Sequence, residues 1–95
     1  ISNNESEVGE FNLHQNYPNP FNPITTITFD IPRSSNVNIS IYDVSGKLVG
    51  NILNEQKNRG SFSLTFNASY LSSGIYFYKL TSDDFSAVKK MILTK

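Results

Sequence analysis

The residues that decide the fold are Gln15-Asn16-Tyr17-Pro18-Asn19-Pro20-Phe21-Asn22-Pro23, followed at once by the alternating run Thr25–Ile31. Each proline fixes φ and removes an amide donor, so this segment can be neither helix nor central strand. The residues before the prolines, Tyr17, Asn19 and Asn22, are pushed toward extended geometry. The expectation is a stiff, extended lead-in whose aromatics, Tyr17 and Phe21, anchor on a core. A proline-rich linker or SH3-type ligand is the competing reading; linkers seldom set large aromatics between their prolines.

Working outward, a period of two recurs. Ile27, Phe29 and Ile31 share one face, with Thr26, Thr28 and Asp30 on the other, and Pro32 closes the strand. Arg33–Asn36 reads as a turn, after which Val37, Ile39 and Ile41 repeat the alternation. Asp43-Val44-Ser45-Gly46 carries aspartate first and glycine fourth, a type I turn that returns the chain antiparallel. Lys47–Asn54 fits neither strand nor helix period cleanly and predicts a bulge or an edge strand; Glu55–Gly60 reads as a polar loop. Phe62, Leu64 and Phe66 alternate again.

Leu71-Ser72-Ser73-Gly74-Ile75-Tyr76 places a leucine, a turn glycine and then a tyrosine, the arrangement of a tyrosine corner, in which the phenol bonds back to upstream backbone. Tyr76, Tyr78 and Leu80 then face inward; Ile75 and Phe77 face outward. Asp83-Asp84 turns the chain, and Val88–Thr94 forms the last strand with Met91 and Leu93 in phase. Phe11 and Leu13 alternate with Asn12 and His14 as a short first strand. Strands at spacings of about 8–12 residues, with no helix-period window, predict an all-β, immunoglobulin-like Greek-key sandwich of about seven antiparallel strands. Residues 1–10 carry Glu5, Glu7 and Glu10 and few apolar groups, and read as a tail or flexible linker; residues 11–95 form the folded domain.

Composition narrows function. A 95-residue chain is one domain that buries only about 60–65% of its unfolded surface. The formal net charge of zero argues against nucleic acid and anionic membranes as partners. Absence of cysteine removes disulfides, thiolate zinc sites and cysteine nucleophiles. No run reaches the roughly 18 apolar residues of a membrane span, and the start at Ile1 suggests a piece of a longer polypeptide.

His14 is the sole histidine, Asp83-Asp84 the sole adjacent carboxylates, and no G-x-S-x-G, P-loop, dinucleotide or EF-hand pattern occurs. The sequence therefore nominates no catalytic, cofactor-binding or metal residues and reads as no enzyme. Phe77, Tyr42 and Tyr78 are either an aromatic platform for sugars or core residues.

These same residues carry a resemblance. Phe11-Asn12-Leu13-His14 running into the proline segment, then Thr25, Ile27 and Phe29, resembles the opening signature of the C-terminal sorting domains of the type IX secretion system of Bacteroidota. Ile41-Tyr42-Asp43 with Gly46, Leu48 and Val49 is similar to the family's middle block, Ser73–Leu80 to its late block and Lys89-Lys90-Met91-Ile92 to its closing strand. Tyr17, Pro18, Asn19, Pro20, Phe21, Asn22, Pro23, Gly46, Gly74 and Tyr76 are the structural signature. Where many relatives have tryptophan and aspartate before the tyrosine corner, this chain has Phe66 and Asn67, which keeps an aromatic in the core.

The resemblance implies a sorting signal without a cofactor that takes an attached cargo through the periplasm to the outer-membrane surface or the medium. The implied partners are the upstream cargo domain and the type IX translocation and sortase machinery, with Lys89, Lys90, Met91 and Ile92 as candidate recognition residues. Removal by cleavage would fall in the acidic segment before Phe11. The alternative is a resident immunoglobulin-like structural or adhesive module, related to flagellar hook-cap domains, that binds carbohydrate or self-assembles through edge strands.

Overall fold

A computed structural model describes residues 9–95. The linker reading lies outside the described residues except at Gly9 and Glu10, both exposed. Among the described residues seven strands form: β1 (Asn12–Leu13), β2 (Ile24–Ile31), β3 (Ser35–Asp43), β4 (Leu48–Lys57), β5 (Gly60–Asn67), β6 (Gly74–Ser82) and β7 (Phe85–Leu93). They make two antiparallel sheets, β1-β2-β5 and β4-β3-β6-β7. The chain changes sheet after β2, β4 and β5, so β3 lies beside β6 with two strands intervening in sequence, the Greek-key arrangement of an immunoglobulin-like sandwich.

The alternating residues meet between the sheets. Ile27, Phe29 and Ile31 from one sheet face Val37, Ile39, Ile41, Tyr78, Leu80, Met91 and Leu93 from the other, all essentially inaccessible to water. Since burial of such a side chain contributes about 1.5–3 kcal/mol, this layer holds the fold together.

The turns follow their residues. Gly46 donates to the Asp43 carbonyl at 3.0 Å and sits at φ +87°, where a Cβ would be strained. The Asp43 carboxylate accepts from the Ser45 and Lys47 amides and the Ser45 hydroxyl, and these bonds hold its pKa below the ordinary value. The tyrosine corner forms as expected: Tyr76 donates its phenol to the Ser72 carbonyl at 2.7 Å, with Gly74 at φ +153° supplying the bend. Tyr76→Phe should therefore lose about 1 kcal/mol, read as a lower urea midpoint at unchanged slope.

Four expectations change. The turn at Arg33–Asn36 ends early, because Ser35 and Asn36 already belong to β3 and pair with Lys57 and Gln56. The polar loop shrinks to Asn58-Arg59, because Glu55, Gln56 and Lys57 continue to pair with Val37, Asn36 and Ser35. β4 is indeed an edge strand with register shifts, between Ile39/Ser40 and Ile41/Tyr42. The last strand begins at Phe85 rather than Val88, since Asp83, at φ +54°, tightens the turn to two residues and lets Ser82 pair with Phe85.

Candidate functional site

The proline segment is the fourth correction, and the one that shapes the site. It is no straight lead-in. Its residues before Pro18, Pro20 and Pro23 make cis peptide bonds, and the chain forms an arch whose two ends pair with different sheets. At one end Tyr17 and Thr26 exchange backbone bonds of 3.0 and 2.9 Å. At the other, Phe21 donates to the Ile92 carbonyl at 3.0 Å and accepts from the Thr94 amide at 2.8 Å. Because the arch doubles back, its aromatics part company: Phe21 is buried against Phe66, whereas Tyr17 is 81% exposed and anchors nothing.

With no amide donors at the prolines, side chains complete the arch. Asn16, which is buried, donates to the Pro18 carbonyl and to the Thr25 hydroxyl, and Thr25 donates to the same Pro18 carbonyl at 2.8 Å. Asn19 Oδ1 accepts from the Ile92 amide at 2.9 Å, and Gln15 donates to the Lys90 carbonyl at 2.7 Å. Pro23 presents its carbonyl to the Ala68 amide, and Asn22 is exposed. The arch thus covers the outer edge of β7 from Lys90 onward, leaving the stretch from Ser86 to Val88 as open edge.

Gln15, Asn16 and Thr25 stand in or beside the stretch that decides the fold, but the sequence did not show that their side chains bond the backbone. A buried asparagine carries no hydropathic mark. The available clue was the loss of donors at Pro18, Pro20 and Pro23, which obliges neighbouring side chains to bond the backbone.

The four recognition candidates divide by phase. Met91 is fully buried in the core and Lys89, on the same inward-facing phase, is half-buried. Lys90 is exposed and Ile92 half-buried on the opposite, outer face. Phe77 pairs with Lys90 on one side and Tyr42 on the other, and both aromatics are half-exposed on that outer face. Tyr78, by contrast, lies wholly in the core, so the three aromatics do not form one platform.

His14 finds a carboxylate across the β1–β2 pair: its Nε2 lies 2.9 Å from Asp30 Oδ2. Ser61 donates to Asp30 Oδ1 at 2.8 Å. Burial alone would raise the Asp30 pKa, but the bonds from His14 and Ser61 prevail and lower it. Although a serine, a histidine and an aspartate meet here, the aspartate stands in the middle. Nucleophile activation needs the imidazole between hydroxyl and carboxylate, so Ser61 gains no general base from this arrangement. Among the described residues, no group of three or more His, Asp or Glu side chains could hold a metal ion.

Fold and site together define an immunoglobulin-like β-sandwich whose N-terminal arch fastens its closing strand and whose larger sheet presents an aromatic outer face. The chain belongs to the secretion system C-terminal sorting domain family, whose model matches residues 15–94. Domains of this family are sorting signals of type IX secretion; they direct proteins to the cell surface or the extracellular space and are generally not themselves catalytic. Among solved structures, that of dimeric latent PorU from Porphyromonas gingivalis is similar, with 21% identity and a TM-score of 0.70 over 90% of this chain. The chain spans 9% of the length of that PorU chain, and at this identity the likeness is one of fold. No curated protein matches the chain.

Proposed function

We propose that this chain is the address of a larger secreted protein, carried by its folded surface and not by any reaction it performs. Residues 1–10 join it to the upstream cargo, the pair crosses the periplasm, and the type IX translocation and sortase machinery reads the domain before cleaving in the acidic stretch ahead of Phe11. The observation that carries this reading is the fixing of the closing strand: Gln15, Asn19 and Phe21 hold the backbone of Lys90–Thr94 in one geometry. A surface held from both sides of the sequence offers a partner a shape that needs little ordering on binding. Within Lys89–Ile92, Lys90 and Ile92 face outward and are the side chains a partner would meet, while Met91 is packed in the core and Lys89 shares its inward phase. The lowered access of a two-sheet core and the Asp30-centred wiring of His14 and Ser61 support a non-catalytic role.

The test is a reporter protein fused ahead of the 95-residue chain in a type IX-competent host. The reporter should appear outside the cell with the domain attached and stay inside without it. Retention in both cases would end the proposal.

A further inference from the structure

The outer face of β4-β3-β6-β7 carries a pattern that core packing does not require. One row across all four strands reads Leu48, Tyr42, Phe77, Lys90, and the next reads Asn51, Ser40, Lys79, Val88. Ile75 and Ile92 pair beside the first row. Leu48 is 55% exposed, Val88 53% and Ile75 41%, with Tyr42, Phe77 and Ile92 half-buried beside them. Leu48, Tyr42, Phe77, Ile75 and Ile92 are neighbours in this register and form an apolar strip, with Val88 diagonal to Phe77 beyond the two lysines, whereas surface apolar residues scattered singly would need no explanation.

The charges on this face all have one sign. Lys79 and Lys90 flank the strip, and no carboxylate occupies an outward position on any of the four strands; the other outward residues there, Asn36, Asn38, Ser40, Asn51, Asn54, Gln56, Thr81 and Ser86, are uncharged. Neither lysine has an ion-pair partner among the described residues. Covering the strip therefore desolvates two ammonium groups that this chain leaves unanswered.

We propose that this face is the docking surface for a folded protein whose apolar side chains are bordered by Asp or Glu carboxylates. The inference rests on the sorting reading and names the surface that reading needs. A second copy of the chain is a poor occupant, because isologous pairing would press ammonium groups against their own kind. An anionic membrane is also a poor one, since stable attachment to anionic lipid takes a cluster of about 4–8 basic residues. Carboxylates on a protein partner answer both lysines and leave the strip to fill a complementary apolar surface.

The test uses the same reporter fusion. Lys79→Glu/Lys90→Glu should lower export at least tenfold, Phe77→Ala should lower it comparably, and Lys79→Arg/Lys90→Arg should leave it near the parent level. All three variants are melted in parallel and must unfold within a few degrees of the parent for export to be read; Tyr42→Ala substitutes for Phe77→Ala if the latter melts early. Export of the charge-reversed chain at the parent level overturns the docking face while leaving the sorting reading intact; failure of the parent to be exported overturns the sorting reading instead. Sedimentation should find the isolated chain monomeric, and phosphatidylglycerol vesicles should not retain it. A dimer abolished by Phe77→Ala, or vesicle binding abolished by the Lys79→Glu/Lys90→Glu change, would assign the face to self-association or to lipid and overturn the proposal.

Discussion

Phe21→Ala is expected to cost about 3–5 kcal/mol, the usual range for deleting a buried phenyl ring. Few residues do more in this chain. The ring is 2% exposed, with its centroid 6.4 Å from that of Phe66, and its backbone donates to the Ile92 carbonyl and accepts from the Thr94 amide. A native domain has roughly 5–15 kcal/mol in all, so the loss is a large share of it. Thermal unfolding should move down by about 12 °C or more. The Thr94 amide, bonded to the Phe21 carbonyl, should exchange with solvent sooner than amides of β3 and β6. Melting at the parent temperature would show that the arch is an appendage.

Tyr78→Ala should cost a similar 3–5 kcal/mol and adds a second lesion. The ring is fully buried, and its hydroxyl donates to the His14 carbonyl at 2.6 Å, across 64 residues of sequence. Removing it opens a cavity and takes a partner from that carbonyl. Tyr78→Phe separates the two effects and should cost about 1 kcal/mol.

The hydroxyl also gives a pH signature. Burial pushes the Tyr78 pKa up from 10.0 to about 12, against the opposing backbone hydrogen bond from Asn16. A raised folded-state pKa means that the protonated phenol is the one the fold favours. Its contribution is therefore complete below pH 10 and drains away as pH rises toward 12. Across that window the parent should lose about 3 kcal/mol relative to Tyr78→Phe. Urea titrations of both proteins at pH 9 and at the alkaline end check this, and parallel pH dependences would contradict it.

Much of the fold was legible because its signals are local. Ile27, Phe29 and Ile31 and then Val37, Ile39 and Ile41 alternate cleanly, and all of them are buried. The Asp43–Gly46 turn and the Tyr76–Ser72 corner bond close over a few residues, so sequence spacing alone exposes them. Phe66 does keep an aromatic in the core, and Asn67 turns the chain by accepting from the Ser69 amide at 3.0 Å.

The arch was not legible, since its partners are remote: Asn19 meets Ile92 across 73 positions and Gln15 meets Lys90 across 75. Tyr17 and Phe21 would share a face in an extended chain, and only the reversal between them sends one inward and the other to water. β4 outran its hydrophobic pattern for another reason. At a sheet edge Glu55 and Gln56 can pair their backbones with β3 and keep their side chains solvated, so polarity does not end the strand. The outer face, too, became visible only when register set Leu48, Tyr42, Phe77 and Lys90 in one row.

The claim beneath all of this is that the folded sandwich, not a linear stretch of its sequence, is what the secretion machinery reads. Export of the reporter fused to Phe21→Ala, followed below and above that variant's own melting temperature, tests it most directly. The account predicts export near the parent level while the domain is folded and its loss once the domain melts, with the parent still exported at the higher temperature. Undiminished export of the melted variant would contradict it.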